Sequence, residues 1–157
     1  MVKLDYDNQT QMRIFASNIL NQSFRNDAQF IGVPNGNDYY VVFGFDTFSK
    51  TNCFMHVATN GHSMAWTRDF KSILREVFLY PFQRAGLMRV SSLVSSRNRA
   101  SLLITERRGG IREGVMRRAG IAGEDMILFG MLRDECPYMK ASEFRTTQSP
   151  EYLVHKS

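Results

Sequence analysis

Three consecutive segments decide the fold of this chain: TNCFMHVAT (51–59), TRDFKSILREVFLYPFQRA (67–85) and MRVSSLV (88–94). The first segment predicts a strand whose side chains divide between two faces, with Cys53, Met55 and Val57 on one of them. The middle segment carries an apolar stripe at helical spacing and predicts a long helix. A helix between two strands makes a crossover, so the two strands should be parallel neighbours.

The ends of the long helix are marked by residues with special backbone preferences. Thr67 is a candidate N-cap, because its hydroxyl can accept from a free backbone N–H of the first turn. Pro81 should kink or end the last turn, since it lacks an N–H and its ring clashes with the preceding turn. Gly86 lies where a left-handed C-terminal cap is expected.

The sequence on either side of this unit completes an α+β domain. A helix is expected over 8–21 and a strand over 39–45, preceded by a short apolar run at 30–33 and a turn at 34–37. Downstream we expect a helix over 98–107 and strands over 111–118 and 125–133. The predicted class is α+β, with a mixed, mostly antiparallel sheet, a splayed parallel strand pair and flanking helices. We expect residues 1–136 to form one domain and residues 137–157 to form a C-terminal tail.

Composition excludes several classes of protein. The 157 residues are 43% hydrophobic and 22% charged, which is typical of a globular domain and not of a disordered or fibrous chain. No apolar run approaches the roughly 18 residues that span a bilayer, and the polar first ten residues do not suggest a secretion signal. Cys53 and Cys136 stand alone, so neither a zinc motif nor a disulfide framework is expected, and a reducing compartment is indicated.

Positive charge is concentrated in residues 84–118. This block holds nine arginines and two glutamates, whereas residues 1–83 are neutral and residues 119–157 carry a net charge of −2. Guanidinium groups suit phosphate and carboxylate oxygens, so the block predicts either a site for a polyanionic ligand or a solvated basic face. It contains no Phe, Tyr or Trp, which argues against direct nucleic-acid binding.

A family resemblance appears in the second half of the chain. It is carried by FQRAGLMRV (82–90), VSSRN (94–98), Ser101, REG (112–114) and EDMILFGMLRDEC (124–136). These stretches resemble the GNAT acyltransferase superfamily, and most closely the branch that acetylates protein N-termini and related amines. The strand MHV (55–57) and the ending MLRDEC (131–136) are similar to short GNAT-like proteins encoded by tailed bacteriophages.

The resemblance implies a site for acetyl-CoA between the splayed strands 51–59 and 88–94. Backbone groups of the first strand, around Val57 and Ala58, would pair with the pantetheine amides. The resemblance places the remaining cofactor contacts on Trp66, Thr67 and Arg68 at the start of the long helix, and on Asn98 and Ser101 after the second gap strand. The alternative for Trp66 is packing of its loop onto the core, and Asn98 can cap the following helix with or without a cofactor contact.

The same resemblance identifies three departures from the family pattern. The glycine-rich phosphate loop of the family corresponds here to GHSMAWTRD (61–69), which has one glycine and the bulky Met64 and Trp66. Thr105 occupies the position of the tyrosine that protonates the departing thiolate, and a threonine hydroxyl is shorter and far less acidic. The Gly-Phe pair of the family becomes Gly109 and Gly110.

His56 is the candidate catalytic base, because it is the only ionisable side chain inside the first gap strand that titrates near neutral pH. A structural histidine is the alternative at that position. Glu113 and Glu135 are further candidates for the base, and Glu113 could equally pair with a nearby arginine. The three histidines are scattered, so no metal site is expected.

Two functions follow from these observations. The first is a GNAT-like acyltransferase that uses acetyl-CoA to modify an amine of an unidentified target. The second is a catalytically degenerate GNAT-fold protein that acts as a binding or virion-associated structural component, which the three departures favour. The expected location is the cytoplasm of an infected host cell or the virion. Expected partners are an amine substrate or proteins of the virion, and no membrane; homo-oligomerisation is left open.

Overall fold

A computed structural model describes residues 2–61 and 67–140 of the chain. Within these ranges, three α-helices and six strands follow one another in the predicted order. In chain order they are α1 (Gln9–Leu20), β1 (Gln29–Asn35), β2 (Asp38–Asp46), β3 (Asn52–Thr59), α2 (Phe70–Leu79), β4 (Arg89–Ser95), α3 (Arg99–Arg107), β5 (Ile111–Met116) and β6 (Met126–Leu132).

The six strands form one sheet in the order β1-β2-β3-β4-β6-β5. All neighbours are antiparallel except β3 and β4, which run parallel with α2 as their crossover. This confirms the predicted α+β class, the mostly antiparallel sheet and the parallel pair. The described helices include none that is long and apolar enough to cross a membrane.

Helix α1 covers one face of β1–β3 and α2 covers the other. Met12 and Ala16 of α1 pack with Phe30, Val42 and Ala58 on the first face. On the second face, α2 contributes five buried residues to the largest core cluster: Ile73, Leu74, Val77, Phe78 and Leu79. Side chains alternate between the two faces of a strand, so β1–β3 are covered on both faces.

The long helix is less regular than its sequence predicts. Residues Thr67–Asp69 form a 3-10 turn and the α-helix starts at Phe70, so the N-cap position of the α-helix belongs to Asp69 and not to Thr67. The Asp69 side chain makes no capping hydrogen bond. At the other end, Tyr80–Arg84 forms a π-helical turn around Pro81, and Gly86 has a φ of 66°. The predicted disruption at Pro81 and the left-handed Gly86 are therefore confirmed.

The second half of the sheet is covered much more lightly. Helix α3 has no buried residue, and all residues of β5 except Gly114 are exposed. Beyond β6, Tyr138 stacks on Phe78 and Met139 is buried in the main cluster, so packing against α2 continues past residue 136. Residues 141–157 lie outside the described residues, and the division into a domain and a tail stays a prediction.

Candidate active site

The parallel strands β3 and β4 separate after three residue pairs. Asn52, Cys53 and Phe54 pair with Arg89, Val90 and Ser91. Beyond this point β3 pairs only with β2, and β4 pairs only with β6. A wedge-shaped gap therefore opens between Met55–Thr59 and Ser92–Ser95, with no strand bond across it among the described residues. This is the predicted splay.

An apolar cavity of about 140 Å³ lies beside this gap, under α2 and α3. Its walls come from both gap strands, both helices and β6. The side chains that matter below are those of Met55, Val57, Phe70, Thr105 and Arg108. Among the described residues of the lining, Arg108 is the only one with a charged side chain, and the remaining side chains are apolar except for the hydroxyls of Ser92 and Thr105.

Helix α3 supplies the predicted residues Asn98, Ser101 and Thr105. The Asn98 side chain caps the helix, because its Oδ1 accepts from the Ser101 backbone N–H at 3.1 Å. The Thr105 side chain lines the cavity, but its hydroxyl donates to the Ser101 carbonyl oxygen at 2.7 Å. That bond occupies the only hydroxyl proton of Thr105, as is common for threonine within a helix.

Arg108 lies three residues beyond Thr105 and was not among the predicted site residues. Its guanidinium stacks on the Phe70 ring, with the carbon 3.9 Å from the ring centroid. It also lies near Tyr138, where its positive charge works against the raising effect of burial on the pKa of the Tyr138 hydroxyl, and Tyr138 stacks on Phe78 at 5.6 Å. Arg108 therefore bridges α3 and α2 at the edge of the cavity. Its sequence signal was present only as one member of the arginine-rich block.

His56 lies on the opposite face of the sheet from the cavity. It points towards the segment that follows α1, where Gln22 Nε2 is 3.4 Å from its Nδ1 and the Phe24 ring packs edge-on at 5.3 Å. Burial lowers the pKa of His56, and the nearby Asp46 carboxylate only partly offsets this effect. The neutral imidazole is therefore favoured at neutral pH.

The other predicted cofactor residues do not all lie on the cavity side of the sheet. Val57 lines the cavity and is 46% exposed, whereas Ala58 is fully buried against α1, so only its backbone lies at the gap. Arg68 is exposed in the 3-10 turn before α2 and Thr67 begins that turn. Trp66 lies outside the described residues.

The two glutamates proposed as alternative bases both have other partners. Glu113 pairs with Arg89 at 2.7 Å, and this hydrogen bond holds the pKa of Glu113 below its usual range. The pair crosses β6 directly over Gly130, where an added Cβ would collide with both side chains. Glu135 accepts from the Leu132 backbone N–H. Of the two roles that the sequence allows for Glu113, a base or a partner of an arginine, the structure shows the pairing with an arginine.

The cysteines and the acidic groups of the described residues form no obvious reactive centre. Cys53 and Cys136 are buried and form no disulfide, and burial raises the pKa of the Cys53 thiol to about 12. A thiol in that state is a poor nucleophile at neutral pH. Within residues 2–61 and 67–140, no three His, Cys, Asp or Glu side chains come together as metal ligands.

The fold of this chain is similar to the folds of several solved structures. A mutant of the spermidine N-acetyltransferase SpeG from Vibrio cholerae superimposes with a TM-score of 0.71 at 12% identity, covering 90% of this chain and 98% of that one. Another set of SpeG mutant forms gives 0.68 at 11% identity, covering 95% and 100%. A putative acetyltransferase gives 0.65 at 14% identity, covering 85% and 84%.

Sequence comparison adds nothing to these structural matches. No protein-family model matches the chain, and no curated protein matches it. At identities of 11–14%, structural likeness speaks for the fold alone. The predicted architecture, the splayed parallel pair and these superpositions agree, and the chain has the GNAT fold.

Proposed function

We propose that this chain transfers an acetyl group from acetyl-CoA to an amine. The observation that carries the proposal is the gap between β3 and β4 with the apolar cavity beside it. Backbone groups on the facing edges have no strand partner there among the described residues. They would pair with the amides of the narrow pantetheine arm, because backbone N–H and C=O groups need partners when a ligand excludes water.

The described residues of the gap suit the pantetheine arm. The residues proposed to bind the acyl group lie on one face of the sheet, and the proposed base lies on the other face. Acetyl-CoA would bring the acyl group already activated as a thioester. Met55 and Val57 would exclude water around that group, and Val57 and Ala58 would offer their backbone to the arm. Arg108 would place a positive charge beside it. Holding amine and thioester in one gap supplies the proximity that accelerates acyl transfer.

His56 would act as the base from the α1 side of the gap. An amine arrives largely as its ammonium form and must lose a proton before it can attack. Because burial lowers the pKa of His56, its imidazole is neutral at neutral pH and can accept that proton. The hydrogen-bond partner Gln22 would fix the orientation of the ring.

A second candidate function is a GNAT-fold binding protein without catalysis. The observation that favours it is the Thr105 hydroxyl, which is committed to the Ser101 carbonyl and so does not face a leaving thiolate. In this alternative the gap binds a ligand but no group in the cavity protonates the departing sulfur. Both functions require that the gap binds its ligand, and only the first requires transfer of the acetyl group.

Isothermal titration with acetyl-CoA tests the shared part of both proposals. Val57→Trp should fill the gap and weaken binding at least tenfold, because the added ring occupies the cavity. Val115→Trp is the matched control, since Val115 is a similarly exposed strand valine on β5. Equal affinity of the two variants would contradict the placement of the ligand.

Two further measurements test the phosphate contact of the cofactor and the transfer of the acetyl group. Arg68→Ala should weaken acetyl-CoA binding by about tenfold if the exposed Arg68 holds the cofactor phosphates. Mass spectrometry of an amine panel that includes spermidine, the amine in the names of the structural neighbours, then tests turnover. Acetylation that is lost in His56→Ala supports the enzyme, whereas binding without any acetylation supports the second candidate.

We also infer that the chain is of the short type that tailed bacteriophages encode, with its place in the infected cell or on the virion. The support is the similarity of MHV (55–57) and MLRDEC (131–136) to that group. Quantitative mass spectrometry of purified virions against the cytoplasm of infected cells distinguishes the two locations. Absence from both would contradict the inference.

A further inference from the structure

The two edge strands of the sheet differ in whether the backbone groups on their outer sides are paired. At the β1 edge, the N-terminal segment adds a bridge in which Asp5 and Gly32 exchange two backbone hydrogen bonds of 2.8 and 3.0 Å. At the other edge, β5 pairs with β6 on its inner side, and no described residue pairs with its outer side. Every second backbone N–H and C=O along that outer side is thus offered to a partner.

The charges that β5 itself carries are already neutralised. Arg112 pairs with Glu106 of α3 at 3.0 Å, and Glu113 pairs with Arg89 of β4. Besides these paired charges, the strand presents three apolar side chains to solvent. Ile111, Val115 and Met116 are 51%, 55% and 46% exposed. Many free edges are protected by charged side chains on the strand, and here those side chains are turned to partners within the molecule.

Arginines without an ion-pair partner among the described residues flank this strand on both sides, and the Asp125 carboxylate accepts from the Arg118 backbone N–H at 2.9 Å. Arg107 precedes β5, and Arg117 and Arg118 follow it; all three are exposed. In the described part of the chain none of them forms an ion pair. The edge is therefore a strand of six residues that carries three exposed apolar side chains and two internally paired charges, and it is flanked by arginines on both sides.

We propose that the outer edge of β5 binds an extended segment of a partner protein that is apolar in the middle and acidic at both ends. Such a segment would add to the sheet as a seventh strand, with main-chain hydrogen bonds supplying affinity. Its acidic ends would meet Arg107 at one side and Arg117 and Arg118 at the other.

The charge distribution argues against the two other occupants. A second copy paired antiparallel through β5 would set Arg107 of one chain beside Arg117 and Arg118 of the other, so like charges would face each other at both ends. A nucleic acid is a poor match because the surface has no aromatic side chain between residues 84 and 118 on which bases could stack.

The test uses the full chain and a fluorescent nonapeptide, Asp-Glu-Val-Thr-Val-Thr-Val-Glu-Asp. Fluorescence anisotropy should show binding below about 1 mM. Amide hydrogen exchange by NMR should slow across Ile111–Met116, because strand addition protects these amides whereas a loose electrostatic contact does not. The same peptide with lysines at its four terminal positions should bind at least tenfold more weakly.

A pair of matched double variants locates the site. Arg117→Glu with Arg118→Glu should weaken binding of the acidic peptide by at least tenfold. Arg25→Glu with Lys50→Glu makes the same change of charge on exposed residues away from β5 and should leave binding within twofold. Equal loss in both double variants would overturn the proposal, because net charge alone would then explain the binding.

Other outcomes also overturn it. These are the absence of binding at about 1 mM peptide, binding without slower exchange in β5, and equal binding of the lysine-ended peptide. Protection of β5 by a DNA oligonucleotide, or a dimer in sedimentation whose β5 amides are protected without peptide, would assign the edge to a different occupant. None of these measurements depends on acetyl-CoA, so the result is independent of the proposed function.

Discussion

The two halves of the sheet, which join at the β3–β4 pair, differ in how many buried residues pack against them. β1–β3 lie between α1 and α2, and their side chains contribute to both large core clusters. β4 and β6 place Val90 and Met131 in the main cluster, and the cluster beneath α3 has three buried members. The contrast teaches that most of the buried apolar surface lies in the first half and α2, while the second half leaves more of its side chains exposed.

A core deletion in the first half should give the largest effect. Phe45 in β2 is fully buried and packs against Tyr80 at 5.1 Å. Phe45→Ala should lower the free energy of unfolding by about 3–5 kcal/mol, because it leaves a large cavity. Urea denaturation measures this loss. Leu103→Ala in α3, where the side chain is 47% exposed, should stay within about 0.5 kcal/mol; a comparable loss there would break the comparison.

Much of the first half could be predicted from local sequence, because periodicity and breakers act over short distances. The α2 stripe, Pro81 and Gly86 each have a local cause, and the structure bears them out. The Asn98 cap of α3 is of the same kind, since the capping bond joins residues three apart.

The contacts that define the second half have no such local signal. Arg89 and Glu113 are 24 residues apart and meet only because Gly130 leaves room between them. Arg108 reaches Tyr138 through the tertiary fold, and hydropathy could not rank it above the other arginines of its block. The start of α2 was also placed three residues too early, because a 3-10 turn and an α-helical turn use similar residues.

Removing the cap of α3 should give the next largest effect. Asn98→Ala leaves the Ser101 N–H without its acceptor and should cost about 1 kcal/mol. Asn98→Asp is the control, since its carboxylate can accept the same bond. Because α3 has no buried residue, hydrogen exchange should quicken in Arg99–Arg107 and hardly change in α2. Uniform acceleration across both helices would show that α3 is not the weaker element.

The ion pair over Gly130 should contribute less. A double-mutant cycle with Arg89→Met and Glu113→Gln should give a coupling energy of about 0.2–1 kcal/mol that declines with added salt, since both side chains are partly exposed. Repeating the cycle in a Gly130→Ala background should remove the coupling, because the added Cβ displaces the pair. Undiminished coupling in that background would contradict the role of the glycine.

The effect of His56 should be smallest at neutral pH and grow as the solution becomes more acidic. Its pKa is lowered in the folded state, so the unfolded chain binds the proton first as pH falls below about 6.5. The wild type should therefore lose stability relative to His56→Gln between about pH 7 and about pH 5. Parallel pH profiles of the two proteins in thermal denaturation would refute the lowered pKa.

The short β3–β4 pairing also bears on how the chain folds. β1–β3 form a meander of neighbouring segments, whereas Asn52 and Arg89 are about 37 residues apart and the pairing depends on the crossover helix between them. Contacts between distant segments require the closure of a long loop, so we expect the meander to nucleate and the wedge to close late in the transition. φ-value analysis would show this as a high value for Val42→Ala and a low value for Cys53→Ala. The gap between β3 and β4 would then be the last part of the sheet to form during synthesis of the chain.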